Sequence, residues 1–143
     1  AQNLLKYIKE HNLSNRVLLI DSISEADKNN LYRNADLFVS PSLHEGFGRT
    51  PIEASMFNIP VITSRETSLP EVTMELVNYY EPATNAEALA EAIIKVLNNP
   101  PSEEELSRIK GIYQNKYKAE LIAQKYYDLC VSFIGKNKQE QLI

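Results

Sequence analysis

The hydrophobic positions change period along the chain. Leu4, Leu5 and Ile8 recur at helical spacing over residues 2–10, and Val17-Leu18-Leu19-Ile20 follows as a continuous apolar run. Short continuous runs suit strands covered on both faces, as in a parallel sheet. Leu37-Phe38-Val39 and Val61-Ile62-Thr63 read the same way, and Val77-Asn78-Tyr79-Tyr80 reads as a short further strand. Helix signals lie between these runs. Ser24 with Asp27 opens a helix that carries Leu31 and Tyr32 and ends near Asn34. Thr50-Pro51-Ile52-Glu53 has the form of a capping box with proline at the first helical position. That helix is expected to run to about Phe57, with Asn58 as a left-handed cap and Pro60 as a stop. Ser68-Leu69-Pro70-Glu71 opens a brief helical turn, in which Glu71 is read either as a capping partner of Ser68 or as a contact of the ligand region.

Beyond Tyr80 the pattern is helical throughout. Asn85 caps a helix with Leu89, Ile93, Val96 and Leu97 on one face, and Pro100-Pro101-Ser102 breaks it. Ser102 and Glu105 restart a helix carrying Leu106 and Ile109. A last long helix gathers Leu121, Ile122, Tyr126, Leu129, Cys130, Phe133 and Ile134, and Gly135 is expected to end it before a polar tail over 136–143. Strands alternating with helices predict an α/β fold. The form expected is a Rossmann-like parallel sheet of about four strands, with right-handed crossovers, helices on both faces and further helices at the C-terminus. The pattern opens on a helix where a doubly wound fold supplies a strand first, and four strands make a small sheet for such a fold. Residues 1–135 are therefore expected to be the later part of a larger domain.

Composition narrows the class. The chain has 143 residues and a net charge of −4, with acids and bases interspersed. A nucleic-acid partner calls for a basic surface, so none is expected. No apolar run approaches the roughly 20 residues needed to cross a bilayer, and the charged opening does not resemble a signal peptide. The single cysteine, Cys130, excludes an internal disulfide and reads as a core residue of the last helix. It forms no metal-ligand pattern with His11 and His44, and there is no Asp-x-Asp in the chain. No metal and no cofactor are expected, and a reducing, cytoplasmic setting fits.

The candidate chemistry lies between Ala35 and Val72. In open α/β sheets, ligands bind at the carboxyl ends of strands, where loops lead into helix N-termini. The stretch Ser40-Pro41-Ser42-Leu43-His44-Glu45-Gly46-Phe47-Gly48-Arg49-Thr50 stands in that place. Gly46 and Gly48 allow a close backbone approach, and the helix start offers N–H groups to a phosphate. Glu45 and Glu53 bracket the loop. A carboxylate accepts two hydrogen bonds from adjacent hydroxyls, so each suits a vicinal diol such as a sugar or a ribose presents. Taken alone, Glu53 reads as the capping partner of Thr50, Glu45 as a solvated loop acid and His44 as loop surface; the pair, the glycines and the spacing turn the balance toward a site. Glu103-Glu104-Glu105 is an acidic first turn only.

These residues resemble a known family. Ala-Asp-Leu-Phe-Val-Ser-Pro-Ser-Leu-His-Glu-Gly-Phe-Gly-Arg-Thr-Pro-Ile-Glu-Ala over 35–54, then Asn-Ile-Pro-Val-Ile-Thr-Ser over 58–64 and Leu-Pro-Glu-Val over 69–72, are similar to the C-terminal domain of retaining glycosyltransferases of the GT-B fold. More narrowly they resemble the group 1 glycosyltransferases. Two glutamates with seven residues between them, the Glu-Gly-Phe-Gly loop, the Glu-Ala helix and the Pro-Val strand all occur in order. The likeness extends more loosely from Gln2 to about Ile134.

The resemblance implies a nucleoside-diphosphate sugar as donor and transfer with retention of configuration, without a metal. It implies that Glu45, the candidate catalytic residue, hydrogen-bonds the donor sugar. Gly46, Phe47 and Gly48 would lend backbone amides to the sugar and distal phosphate, Arg49 and Thr50 would touch the diphosphate, and Glu53 would bind the ribose. The loop holding Asp21, Ser22 and Ile23 falls where the family contacts the base. The acceptor, a saccharide or lipid-linked sugar, would bind a separate N-terminal domain, and the basic pair that grips the diphosphate lies upstream in the family. Near the motif here only Arg49 and Arg65 are basic. Residues 1–143 alone are thus expected to bind a donor weakly and not to transfer sugar. Peripheral membrane association of the whole enzyme and self-association of this piece through an open strand edge are further expectations. The chain departs from the family at Arg49, usually apolar, at Asn58 and Asp21, usually or often glycine, and at Thr67-Ser68-Leu69, which stands where a Gly-Gly pair is common. Other readings of the same pattern are a sugar-nucleotide epimerase or phosphorylase, a non-catalytic nucleotide-sugar-binding module, and a receiver-like domain, for which Asp21 and Asp36 supply no convincing acidic pocket.

Overall fold

A computed structural model describes residues 2–140, with side chains over 3–133. The chain divides into two compact units, Ala1–Leu31 and Tyr32–Ile143.

The first unit holds helix α1 (Gln2–Glu10), on which Ile8 is buried. Val17 to Ile20 forms no strand, and all four residues are exposed, Leu18 by 80%. This corrects the first of the expected strands. An apolar run becomes a strand only where another strand lies alongside to pair its N–H and C=O groups, and none stands in this unit among the described residues. Helix α2 (Glu25–Asn34) starts as predicted, since Ser24 Oγ accepts from the Asp27 N–H at 3.1 Å and donates to its carboxylate at 2.7 Å.

The second unit is built on a parallel sheet of three strands in the order β1-β2-β3: β1 (Phe38–Ser40), β2 (Val61–Ser64) and β3 (Asn78–Tyr80). Phe38 pairs with Val61, Ile62 with Asn78 and Ser64 with Tyr80. All four residues of β2 are buried, so alternation assigns each to one of two covered faces. On one face Val61 packs with Tyr32, Ala54 and Ile59 beneath α3 (Arg49–Ser55). On the other, Ile62 packs with Tyr80 and Val96 of α5 (Ala86–Asn98), with Leu89 and Ile93 alongside. Helices thus cover both faces, as the alternation predicted.

The remaining helices follow their caps. Asn85 Oδ1 accepts from the Ala88 N–H at 3.1 Å, and Ser102 Oγ from the Glu105 N–H at 3.2 Å to open α6 (Glu103–Lys116). The short α4 (Leu69–Val72) precedes β3. Helix α6 is tied to it from above: Tyr113, fully buried, donates to the Thr73 carbonyl at 2.7 Å, and Tyr117 to the Val72 carbonyl at 2.6 Å. Burial pushes both phenols above their ordinary pKa, which keeps them protonated as donors. Helix α7 (Ala119–Glu140) differs from expectation twice. It continues through Gly135, since an interior glycine costs a helix only about 1 kcal/mol. Its apolar side is also exposed, Cys130 included, so that thiol is no core residue. Residues 141–143 of the expected tail lie outside the described residues.

Ile62 is fully buried at the centre of the sheet. Ile62→Ala should lower stability by about 2–5 kcal/mol, read as the shift of a urea or thermal midpoint; a loss under about 1 kcal/mol would mean that the sheet is not where the core lies.

Candidate functional site

Seven of the eight predicted site residues lie on one continuous segment, from the end of β1 into α3. Ser22 belongs to the first unit, in an exposed irregular stretch.

The loop leaves β1 after Ser40 and is held by hydroxyls from the other side of the sheet edge. Thr63 Oγ1 donates to the Ser40 carbonyl at 3.2 Å, and Ser64 Oγ donates to the Ser42 carbonyl. Beyond β2, Thr67 Oγ1 accepts from the Glu45 N–H at 3.1 Å and reaches the Glu45 carbonyl at 3.3 Å. Ser68 Oγ reaches the carbonyls of Glu45 and Phe47 at 3.0 and 3.1 Å. The Glu45 carboxylate accepts a 2.8 Å bond from Ser42 Oγ. Sequence reading singled out neither Ser42 nor the hydrogen bonds of Thr67 and Ser68. The one available signal was the run Thr67-Ser68 in place of the family's glycines.

The two loop glycines differ. Gly48 takes φ 87°, and a Cβ there would stand 2.7 Å from Leu69 Cδ2. A Cβ on Gly46 would meet nothing within 4 Å, so that position opens outward. The left-handed Gly48 is itself the N-cap of α3, with no side-chain cap bond. This corrects the predicted capping box. The helix begins at Arg49, which places Thr50 and Pro51 inside its first turn, where the Thr50 hydroxyl is no longer at the capping position. Pro51 brings no N–H to that turn. The Asn58 cap stands as read, at φ 57°. Glu71 does not cap through Ser68, whose hydroxyl faces the loop instead.

Glu53 pairs with Arg49 at 3.4 Å across one helical turn, with the Arg49 side chain 79% exposed. An exposed pair of this kind contributes at most about 0.5 kcal/mol, so a ligand that draws on both groups gives up little by opening it. Phe47, Arg49, Ile52, Glu53, Tyr117 and Ile122 line a cavity of about 350 Å³, within the roughly 300–1,000 Å³ of small-ligand sites. Tyr117 stands edge-on to Phe47 at 5.9 Å. Arg65 is committed elsewhere, with its two terminal guanidinium nitrogens on Glu75 at 2.8 Å and its Cζ over the Tyr79 ring, and Glu75 holds its pKa above the ordinary value. Among the described residues, no three metal-ligating side chains cluster and no helix is long and apolar enough to cross a membrane.

The site is thus a glycine-marked loop at the carboxyl end of a parallel strand, with two carboxylates and an adjoining cavity. A family model described as glycosyl transferases group 1 matches residues 1–115. The chain belongs to this family. Among its relatives is the O-antigen biosynthesis glycosyltransferase WclY of Escherichia coli, 28% identical over 124 residues, which are 87% of this chain and 34% of WclY. The capsular polysaccharide biosynthesis glycosyltransferase CapM of Staphylococcus aureus is 27% identical over 85% of this chain and 32% of its own. The chain thus spans about a third of the length of these family members. A glycosyltransferase from Rickettsia africae superposes with a TM-score of 0.77 at 26% identity, over 90% of this chain and 35% of that one. Anabaena Alr3699/HepE, solved in complex with UDP and glucose, gives a TM-score of 0.77 at 22% identity over 92% of this chain and 36% of its own, a likeness of fold.

Gly48 should be the less replaceable of the two glycines. Gly48→Ala combines a left-handed alanine with a clash at Leu69 and is expected to lower stability by about 2–4 kcal/mol. Gly46→Ala should cost under about 1 kcal/mol. Equal midpoint shifts for the two variants in urea would contradict the loop geometry.

Proposed function

We propose that this chain provides the donor side of a retaining glycosyltransferase, binding a nucleoside-diphosphate sugar across the Glu45–Glu53 segment. The observation that carries the reading is the family's paired glutamates standing on the loop and first turns of α3, with Glu53 lining a cavity of ligand size. In this reading Glu53 accepts hydrogen bonds from the ribose diol. Arg49 and Thr50 face the diphosphate, and the amides of Gly46, Phe47 and Gly48 face the distal phosphate and sugar. Glu45, steadied by Ser42, accepts from the sugar's hydroxyls and is the residue nearest the chemistry. Ser22 belongs to the base end of the donor by resemblance only. A fold neighbour solved with UDP and glucose supports a nucleotide sugar as the ligand class.

The transfer step breaks the bond between the anomeric carbon and a diphosphate oxygen and forms one from that carbon to an acceptor hydroxyl oxygen on the same face, with the hydroxyl proton leaving on the diphosphate. Negative charge grows on the departing diphosphate, and a site that lowers this barrier must place fixed positive charge and N–H dipoles there. On this segment Arg49 supplies the charge, because Arg65 is engaged with Glu75. One exposed arginine is a small supply, so the complete reaction draws on further groups outside this chain, as does recognition of a saccharide or lipid-linked acceptor. The reading requires no cofactor and no divalent ion.

Glu53→Gln keeps the shape of the side chain and removes its charge. Affinity for UDP or GDP, measured calorimetrically on this chain, should fall by about 1–3 kcal/mol, with the parent's affinity unaffected by EDTA. Equal affinity in variant and parent would take Glu53 out of the site, and loss of the parent's binding in EDTA would contradict the metal-free reading.

A further inference from the structure

Two Thr-Ser pairs, Thr63-Ser64 at the end of β2 and Thr67-Ser68 beyond it, direct all four hydroxyls to the end of β1 and the loop that follows it. The first pair holds the carbonyls of Ser40 and Ser42; the second holds those of Glu45 and Phe47. The second pair is the less expected. Thr67 sits at φ 49°, a left-handed conformation that a β-branched residue adopts only when its surroundings hold it there. What holds it is the Glu45 backbone, bonded through both its N–H and its carbonyl.

This contact has a directional consequence. The peptide bonds on either side of Gly46 and before Gly48 are trans, Glu81-Pro82 being the cis bond among the described residues. In a planar trans peptide, the C=O of one residue and the N–H of the next point in opposite directions. Ser68 draws the Glu45 and Phe47 carbonyls toward α4, so the N–H groups of Gly46 and Gly48 are turned away from α4. A Cβ built on Gly46 meets nothing within 4 Å, so the loop can be approached closely at that residue.

We propose that Thr67 and Ser68 are positioning residues that aim the Gly46 and Gly48 amides at the phosphate and sugar oxygens of the donor. The proposal rests on the donor reading above. In that role the strained threonine and its serine neighbour set the loop with hydroxyl bonds, where a pair of glycines would leave it to backbone freedom alone.

The chain contains four glycines, so a sample labelled with 15N-glycine shows at most four amide resonances. UDP-glucose and GDP-mannose serve as probes. In the parent protein, the bound probe should move the Gly46 and Gly48 resonances and leave the Gly111 resonance in place. Ser68→Ala should displace those two resonances in the free protein and raise the dissociation constant about tenfold, the scale of one well-placed hydrogen bond. Ser68→Thr, which keeps a hydroxyl, should restore it to within about twofold of the parent. Thr67→Ala is the independent second variant, expected to weaken binding in the same direction. A merely structural role would lower the melting temperature without displacing the two glycine resonances. If the parent binds a probe while cooperatively folded Ser68→Ala or Thr67→Ala binds it equally well with unchanged glycine shifts, the positioning role is overturned and the donor site stands. If the parent binds neither probe, the donor reading falls, and the role of the hydroxyls falls with it.

Discussion

The structure depends on β2. It is the central strand of the second unit, buried on both faces, and its neighbours pair with it in parallel register. Its apolar residues, Val61 and Ile62, each anchor one of the two faces. Its polar residues, Thr63 and Ser64, are buried too, and a buried hydroxyl must find a partner. They find it in the carbonyls of Ser40 and Ser42, where β1 ends and the loop begins. The same strand that closes the core therefore also fixes the root of the candidate site. No described buried side-chain polar atom is left unpaired.

From that root the constraint passes forward. Thr67 and Ser68 hold the next carbonyls of the loop, Leu69 fills the space that only a glycine at position 48 leaves, and Gly48 turns the chain into α3. On the far side, Tyr113 and Tyr117 brace the end of α4 against α6, and Tyr117 and Phe47 stand together on the wall of the cavity. Backbone placement is thus heavily determined, while the Arg49 side chain, paired with Glu53, is exposed and the Gly46 position is open.

Much of this was legible in the sequence, and the misses share a cause. The caps at Ser24, Asn85 and Ser102 were readable because each bond spans three residues. The β1 and β2 runs were readable because a strand covered on both faces tends to be continuously apolar, and the shorter β3 was readable beside its tyrosines. Val17–Ile20 carries the same pattern but has no strand beside it in its own unit, and pairing is not a local property. The capping box at Thr50 failed for a related reason. The left-handed turn at Gly48 starts α3 earlier than the Thr-Pro signal suggests, and Leu69, distant in sequence, occupies the space a Cβ there would need. Cys130 was placed in a core because its helix has an apolar stripe, yet a stripe says nothing of what covers it. Of the site itself, the paired glutamates and glycines were visible from their spacing. The hydroxyls that position them reach across the sheet edge and carry no spacing signature.

The central claim is that the loop after β1 and the first turns of α3 hold a nucleoside-diphosphate sugar. A crystal structure of this chain with UDP-glucose or GDP-mannose bound tests it most directly. The account predicts the ribose hydroxyls within hydrogen-bonding distance of the Glu53 carboxylate, below about 3.2 Å, and the diphosphate against the Gly46–Thr50 backbone beside the cavity of Phe47 and Tyr117. A nucleotide sugar seated elsewhere on the chain, with Glu53 still paired to Arg49 and the loop untouched, would contradict it.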